Sequence, residues 1–136
     1  MKVTPIYVSI AVIVMFFLSA CSGEVNGVPE PPPESRSSVE AGRHLILSYG
    51  CGTCHSIPGI PGADGTVGPS LDHFYEQMTI AGQLPNTQEN LIKWIQNPQK
   101  VIPGDAMPNM GVTADQAKYI AAYLYHQPTF GELLVH

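Results

Sequence analysis

Hydrophobic positions recur with the period of an α-helix at the start of the predicted folded region, from residue 39 onward. They are Val39, Gly42, Ile46 and Tyr49, and Gly50 follows as a stop signal. Just upstream, residues 37–40 read Ser-Ser-Val-Glu, a capping-box pattern with a hydroxyl at the N-cap and a carboxylate three residues later. The pattern therefore predicts a first helix that begins near residue 37 and ends near residue 50.

The same periodicity predicts two further helices. One follows Thr87 and ends near Asn97, because Pro98 disfavours helical geometry in the residue before it. The other begins after Thr113, whose capping box is completed by Gln116, and stops before Pro128. A weaker helix is predicted over residues 72–79, where Met78 stands at helical spacing and is expected to pack in the core.

Gly- and Pro-rich segments separate these helices, at residues 57–71 and 97–111, and no β alternation is visible. The fold class predicted is all-α, with three to five short helices joined by long loops over about ninety residues. A domain below ~100 residues usually needs something extra to complete its core. A large buried cofactor would complete the hydrophobic core of such a domain.

The N-terminal segment predicts export. Lys2 precedes fifteen mostly apolar residues, 6–20, fewer than the ~20 that a membrane span needs. Leu18-Ser19-Ala20-Cys21 resembles the lipobox of bacterial lipoproteins, which implies that Cys21 is lipidated and becomes the new N-terminus. The alternative is an uncleaved signal anchor. Both alternatives place the rest of the chain on the extracytoplasmic, periplasmic side of a bacterial membrane.

The chain is accordingly divided into four segments. Residues 1–20 are predicted to be a lipoprotein signal peptide and residues 21–38 the lipidated cysteine with a Pro-rich linker. Residues 39–128 form the predicted domain, and 129–136 a C-terminal tail. The linker favours extended polyproline II, at ~3.1 Å per residue, and can act as a tether above the bilayer. The net charge of −5 argues against a nucleic-acid partner.

Cys51, Cys54 and His55 form a C-x-x-C-H motif. A thioredoxin-like dithiol would need a βαβ setting, and a zinc site would need a fourth ligand. The third interpretation is covalent haem attachment, which this motif signals directly. The two thiols can form thioethers to two porphyrin vinyl groups, and the histidine next to them can bind the iron.

Further motifs make the chain resemble class I c-type cytochromes from about Val39 to Tyr125. They follow the haem motif in the order that this family has: Gly68-Pro69-Ser70-Leu71, Trp94-Ile95-Gln96-Asn97-Pro98, Pro103-Gly104-Asp105-Ala106-Met107 and Ala122-Tyr123-Leu124. The resemblance implies the cytochrome c fold, wrapped around one covalently attached haem c, with the last helix crossing the first at Gly42.

The resemblance also implies the roles of individual residues. The Pro69 carbonyl accepts a hydrogen bond from His55, and Met107 is the second axial ligand, with Met110 as the alternative. Trp94 and Tyr123 belong to the haem pocket or to the core. A bis-His site with His73 is disfavoured by Met107, and His44 is expected to be exposed.

The function predicted is a membrane-tethered monohaem cytochrome c that carries single electrons in a respiratory chain and is not itself a catalyst. It would exchange electrons with redox proteins in or at the membrane and contact the bilayer through Cys21. One alternative is a fixed cytochrome c subunit of a larger respiratory complex, such as a haem-copper oxidase or a quinol-oxidising complex. Another is a haem sensor or a peroxidase-like protein.

Overall fold

A computed structural model describes residues 35–127. This part of the chain contains the helices α1 (Arg36–Ser48), α2 (Gln88–Gln96), α3 (Pro98–Val101) and α4 (Ala114–Tyr125). It also contains two 3-10 turns, Cys51–Thr53 and Phe74–Glu76, and the short strands β1 (Thr79–Ile80) and β2 (Leu84–Pro85). Among these residues no helix has the length and hydrophobicity to cross a membrane. The predicted signal peptide, Cys21 and the tail 129–136 lie outside the described residues.

Helix α1 begins earlier than its sequence pattern predicts. Its N-cap is Ser35, whose side chain accepts a hydrogen bond from the backbone N–H of Ser38 at 3.2 Å. The predicted capping box at residues 37–40 is therefore wrong. Several serines here can act as N-cap, and the use of Ser35 extends the helix at its start. Glu40 does not reach back to a cap and instead pairs with His44, at 3.2 Å, on the exposed face of the helix.

Helix α4 begins at the predicted capping box. The Thr113 hydroxyl accepts from the backbone N–H of Gln116 at 3.4 Å, and the Gln116 side-chain oxygen accepts from the Thr113 N–H at 3.0 Å. The same oxygen also accepts from the Tyr49 hydroxyl at 2.8 Å. The cap that starts α4 thus also holds the residue that ends α1.

Helices α1 and α4 cross at Gly42, as the resemblance implies. A Cβ atom at this position would overlap the Tyr119 carbonyl oxygen and would lie 2.9 Å from the Tyr123 Cβ. Tyr123 is only 1% exposed, and its hydroxyl donates to the Pro58 carbonyl at 2.6 Å. The crossing therefore joins the two ends of the domain and also holds part of the long loop between them.

Asn97 joins α2 to α3. Its backbone N–H donates to the Lys93 carbonyl at the end of α2, and its side-chain oxygen accepts from the Lys100 N–H in the first turn of α3 at 3.1 Å. Pro98 occupies the first position of α3, where its missing N–H costs nothing and its fixed φ suits the helix. Helix α2 ends where predicted. Residues 97–111 were predicted to be irregular throughout, and the sequence pattern does not predict α3.

The helix predicted over residues 72–79 is not formed. The 3-10 turn Phe74–Glu76 is followed by a hairpin in which Thr79 faces Pro85 and Ile80 faces Leu84. Its loop contains a β-turn closed by the hydrogen bond from the Gln83 N–H to the Ile80 carbonyl at 3.1 Å. The two central residues of this turn, Ala81 and Gly82, both have positive φ, as in a type I′ turn. Met78 is 88% exposed, so the prediction that it packs in the core is wrong.

Asn86 fixes this irregular region against the last helix. Its side-chain NH₂ donates to the carbonyls of Phe74, at 2.8 Å, and Gln77, at 2.9 Å. Its side-chain oxygen accepts from the Tyr125 hydroxyl at 2.8 Å. One amide thereby connects the 3-10 turn, the hairpin and the end of α4.

Candidate cofactor site

A cavity of about 270 Å³ lies between the helices and the two long loops. Helices α1, α2 and α4 contribute mainly aliphatic and aromatic side chains to its wall. The lining residues of these helices are Ile46, Leu91, Trp94, Ile95, Ile120 and Leu124. The loops contribute the polar and sulfur-containing groups, so that chemically active side chains project into an otherwise apolar space.

The C-x-x-C-H motif lies at one wall of this cavity. Gly50 adopts a left-handed conformation, with φ of 66°, and turns the chain from the end of α1 into the 3-10 turn Cys51–Thr53. Cys51, Cys54 and His55 all line the cavity. Both cysteines are free thiols and partly buried, and burial raises the pKa of the Cys51 thiol. Their sulfurs are therefore available for bonds to a group in the cavity.

His55 is held by the loop that follows it. Its Nδ1 lies 2.7 Å from the Pro69 carbonyl oxygen. Since a carbonyl oxygen can only accept, this hydrogen bond places the imidazole proton on Nδ1 and leaves the lone pair of Nε2 free. Gly68 packs against the ring, where an added Cβ would lie 2.5 Å from Cε1 and 2.7 Å from Nδ1. The loop thus sets both the tautomer and the position of the imidazole.

Two methionines contribute sulfur to the cavity from the loop that follows α3. Met107 is partly buried and packs against the core, whereas Met110 is 38% exposed. The backbone N–H of Met107 donates to the Asp105 carboxylate at 2.8 Å. Its carbonyl accepts from the Gln99 side chain at 2.9 Å. Gln99 was missed by the sequence interpretation, because no motif marks it and α3 was not predicted.

The two aromatic candidates are placed differently. Trp94 is buried and lines the cavity. Tyr123 does not line the cavity and belongs to the core at the helix crossing, so of the two predicted locations the structure places it in the core.

The other candidate ligands lie away from the cavity. The side chains of His44 and His73 are 69% and 63% exposed, respectively, and neither lines it. In the described part of the chain, no group of three or more His, Cys, Asp or Glu side chains could hold a metal ion. This arrangement offers no support for a zinc site or for a bis-His site.

The residues around the cavity fit a haem. Its wall is apolar, two unpaired thiols lie beside an imidazole with a free Nε2, and thioether sulfur is available from a separate loop. These are the donor types that bind haem iron and link a porphyrin to the chain. When bound, haem supplies one-electron chemistry, while the chain supplies attachment, orientation and exclusion of water.

Comparison with known proteins agrees with this geometry. Residues 39–128 match the family model for cytochrome c. The chain belongs to the cytochrome c family. It has the all-α cytochrome c fold, carries a covalently attached haem c and is an electron carrier. The predictions of fold class and cofactor are confirmed.

Two curated relatives are both named "Cytochrome c oxidase subunit 2". That of Alkalihalophilus pseudofirmus is 34% identical over 97 residues, which make up 70% of this chain and 27% of the relative. That of Bacillus sp. (strain PS3) is 31% identical over 83 residues, or 58% of this chain and 23% of the relative. The chain thus spans about a quarter of the length of these relatives. No solved structure matches the chain.

Proposed function

We propose that this cytochrome c is a membrane-tethered monohaem carrier that moves single electrons in a respiratory chain through a haem ligated by His55 and Met107. The observation that carries the proposal is the pairing of these residues in one apolar cavity. The hydrogen bond to the Pro69 carbonyl leaves the Nε2 lone pair of His55 free, so that it could bind the haem iron. A thioether ligand from Met107 would stabilise Fe(II) relative to Fe(III) and raise the reduction potential, which suits a respiratory carrier.

Met107 is favoured over Met110 as the second ligand by its surroundings. Met107 is packed against the core, and both its N–H and its carbonyl are hydrogen-bonded. Met110 is more exposed, and the adjacent Gly111 has φ of 72°. A restrained residue loses less entropy when its sulfur binds iron than one in a freer segment does.

Substitution of each methionine tests this ligand assignment. We expect Met107→Ala to abolish the low-spin spectrum of a Met-ligated haem and to lower the reduction potential, whereas Met110→Ala leaves both close to those of the native protein. The opposite result, with native ligation in Met107→Ala and its loss in Met110→Ala, would show that Met110 is the ligand.

The membrane tether is proposed from the sequence of residues 18–38. A lipidated Cys21, followed by a Pro-rich segment, would hold the domain at the extracytoplasmic face of the bacterial membrane and let it reach partners there. Cys21→Ser is the test. The intact chain should partition into membranes and carry acyl groups by mass spectrometry, and the variant should do neither. Membrane retention of the unacylated variant would instead favour the uncleaved signal anchor.

A fixed subunit of a larger respiratory complex is the second candidate. It is supported by the similarity to proteins named as cytochrome c oxidase subunit 2, of which this chain matches about a quarter. Extraction in mild detergent distinguishes the two proposals. A carrier should separate from the large membrane complexes, whereas a fixed subunit should remain with an oxidase or a quinol-oxidising complex at constant stoichiometry.

The partner-binding surface is proposed to be a small, partly apolar patch at the mouth of the cavity. Val67 is 84% exposed there, Met110 also lines the cavity, and no Lys or Arg is among the lining residues of the described chain. Contacts of this kind are short-lived and small, under ~1,200 Å². The rate of electron transfer should therefore depend only modestly on salt concentration. With a basic partner, the rate should instead show the salt dependence of an electrostatic attraction. A steep loss of rate with salt against an acidic partner would contradict this docking mode.

A further inference from the structure

One exposed side chain holds the loop that carries Met107. Gln99 lies on α3, and its side-chain oxygen accepts from the Gly104 N–H at 3.2 Å. Its side-chain nitrogen donates to the Asp105 carbonyl at 2.6 Å and to the Met107 carbonyl at 2.9 Å. The single amide group of Gln99 therefore makes three hydrogen bonds to three residues of the loop.

These hydrogen bonds replace the regular pairing that the loop lacks. Residues 104–107 belong to no helix or strand. In the described chain their one backbone–backbone hydrogen bond runs from the Asp105 N–H to the Ile102 carbonyl at 3.2 Å, so the other backbone groups depend on side chains or on water for partners. Among residues 35–127, the only other side-chain hydrogen bond to this stretch is the one from the Met107 N–H to the Asp105 carboxylate, which lies within the loop itself. Gln99 is thus what connects the loop to a helix by side-chain hydrogen bonding.

The helix that carries Gln99 is itself fixed. Asn97 caps it, Pro98 is buried at its first position, and α2 precedes it directly. Gln99 consequently connects the Met107 carbonyl to a helix that is continuous with the cavity wall formed by Trp94 and Ile95.

We propose that Gln99 is a positioning residue that holds Met107 in place as a haem ligand and slows its replacement by other ligands. This inference rests on the proposed ligation by Met107. Displacement of the methionine requires the loop to move away from α3, and that movement breaks the hydrogen bonds of Gln99. An external ligand such as imidazole binds the iron only after this opening, so its rate of binding reports how firmly the loop is held.

The test compares full-length, haem-loaded proteins in the ferric state. Gln99→Leu removes all three hydrogen bonds with little change in size. Gln96→Leu is the matched control, because the Gln96 side chain lies on the neighbouring helix and donates only to the Ile92 carbonyl of that helix. Imidazole binding is followed by the change in the haem spectrum, and the reduction potential and thermal unfolding are measured for each protein.

We expect Gln99→Leu to bind imidazole about tenfold faster than the native protein or more, since one net hydrogen bond changes an opening equilibrium by about two- to tenfold and the variant lacks three. Gln96→Leu should bind imidazole at the native rate. Equal rates in the two variants would overturn the inference, because they would show that the hydrogen bonds of Gln99 do not limit the opening of the loop.

Gln99→Glu provides a readout that a general loss of stability would not produce. A carboxylate cannot donate to the Asp105 and Met107 carbonyls, so the variant should bind imidazole fast at neutral pH. When the carboxyl group is protonated at acid pH it regains one donor, and binding should slow relative to Gln99→Leu at the same pH. A constant ratio between the two variants at all pH values would contradict the proposed role.

Met107→Ala, measured in the same series, separates this inference from the proposed function. If it retains Met ligation, the ligand assignment and the inference both fail. If it loses Met ligation while Gln99→Leu behaves as the native protein does, only the role of Gln99 is wrong.

Discussion

The backbone of Gly42 in α1 lies directly against the carbonyl group of Tyr119 in α4. A Cβ atom at position 42 would lie 2.8 Å from the Tyr119 carbonyl carbon, in addition to its overlap with the oxygen. The atoms that it would meet belong mostly to helix backbone, which cannot turn aside as the end of a side chain can. The closeness of the two helices thus depends on the absence of a side chain at this position.

Gly42→Ala should lower the free energy of unfolding by about 3 kcal/mol, at the upper end of what overpacking in a core costs. Denaturant unfolding of the haem-loaded protein measures the loss. Ser48→Ala, at an exposed position of the same helix, is the control and should change stability by less than about 0.5 kcal/mol. A native-like stability of Gly42→Ala would mean that the helices can separate without cost.

Gly68→Ala should disturb the haem site without a comparable effect on the helices. The new methyl group would push against the His55 ring and weaken its hydrogen bond to Pro69. We expect less haem-loaded protein and a high-spin fraction in the spectrum, because the displaced His55 imidazole would coordinate the haem iron less strongly. Gly62→Ala is the comparison: a Cβ there meets nothing within 4 Å, and its φ of 73° strains the loop backbone without any contact with the imidazole. The same spectral change in both variants would exclude contact with the imidazole as its cause.

Asn86→Asp should destabilise the domain by about 3 kcal/mol. The carboxylate cannot donate to the Phe74 and Gln77 carbonyls, and each partly buried group left without a partner costs about 1–3 kcal/mol. Asn90→Asp is the comparison, since Asn90 is a helix residue whose side chain donates only to the exposed Pro85 carbonyl at 3.0 Å. Its loss should stay below about 1 kcal/mol. Equal losses, measured by denaturant unfolding, would show that the amide of Asn86 does not hold the region together.

The domain should lose stability in alkaline solution because of two buried tyrosines. Burial raises the pKa of Tyr123 and of Tyr125 to about 12, from about 10 in the unfolded chain. Below pH ~10 both states are protonated and the stability is intact, and between pH ~10 and ~12 the unfolded state loses its protons first. Each tyrosine should account for a loss of about 2–3 kcal/mol over this range.

Tyr125→Phe provides the check on this pH dependence. It should be less stable than the native protein at pH 7, because it lacks the hydrogen bond to Asn86, but its stability should fall less between pH 10 and 12. Tyr119→Phe, which removes a phenol that is 42% exposed, serves as the control. Parallel stability curves for the native protein and Tyr125→Phe would contradict the assignment of the alkaline loss to buried phenols.

The sequence predicts the long-range arrangement well where a motif has a single structural solution. Thr113 and Gln116 can cap only one helix start, and Gly42 predicts the helix crossing because no other residue type allows such a close approach. Likewise Pro69 follows from the family motif, and its carbonyl lies within hydrogen-bond distance of His55. In these cases local chemistry decides the structure.

The predictions that failed depend on competition between similar local options or on distant partners. Three serines at 35, 37 and 38 could each cap α1, and the pattern does not rank them. Residues 72–79 contain apolar side chains at helical spacing, but hydrogen bonds from Asn86 hold residues 74–77 of this segment in a 3-10 turn, and Met78 is exposed to solvent. The contacts of Gln99 and Asn86 are likewise made with segments that sequence spacing alone does not bring together.

Asn97 caps the end of α2 and the start of α3, and this has a consequence for the rate at which an electron could enter or leave the site. It couples α2, which forms one wall of the cavity, to α3, which holds the loop of Met107 through Gln99. Because Asn97 connects both helices, we expect the residues around a bound haem to move little when its iron changes oxidation state. Small nuclear displacement means a small reorganisation energy, and this lets a carrier exchange charge quickly even when the driving force is slight.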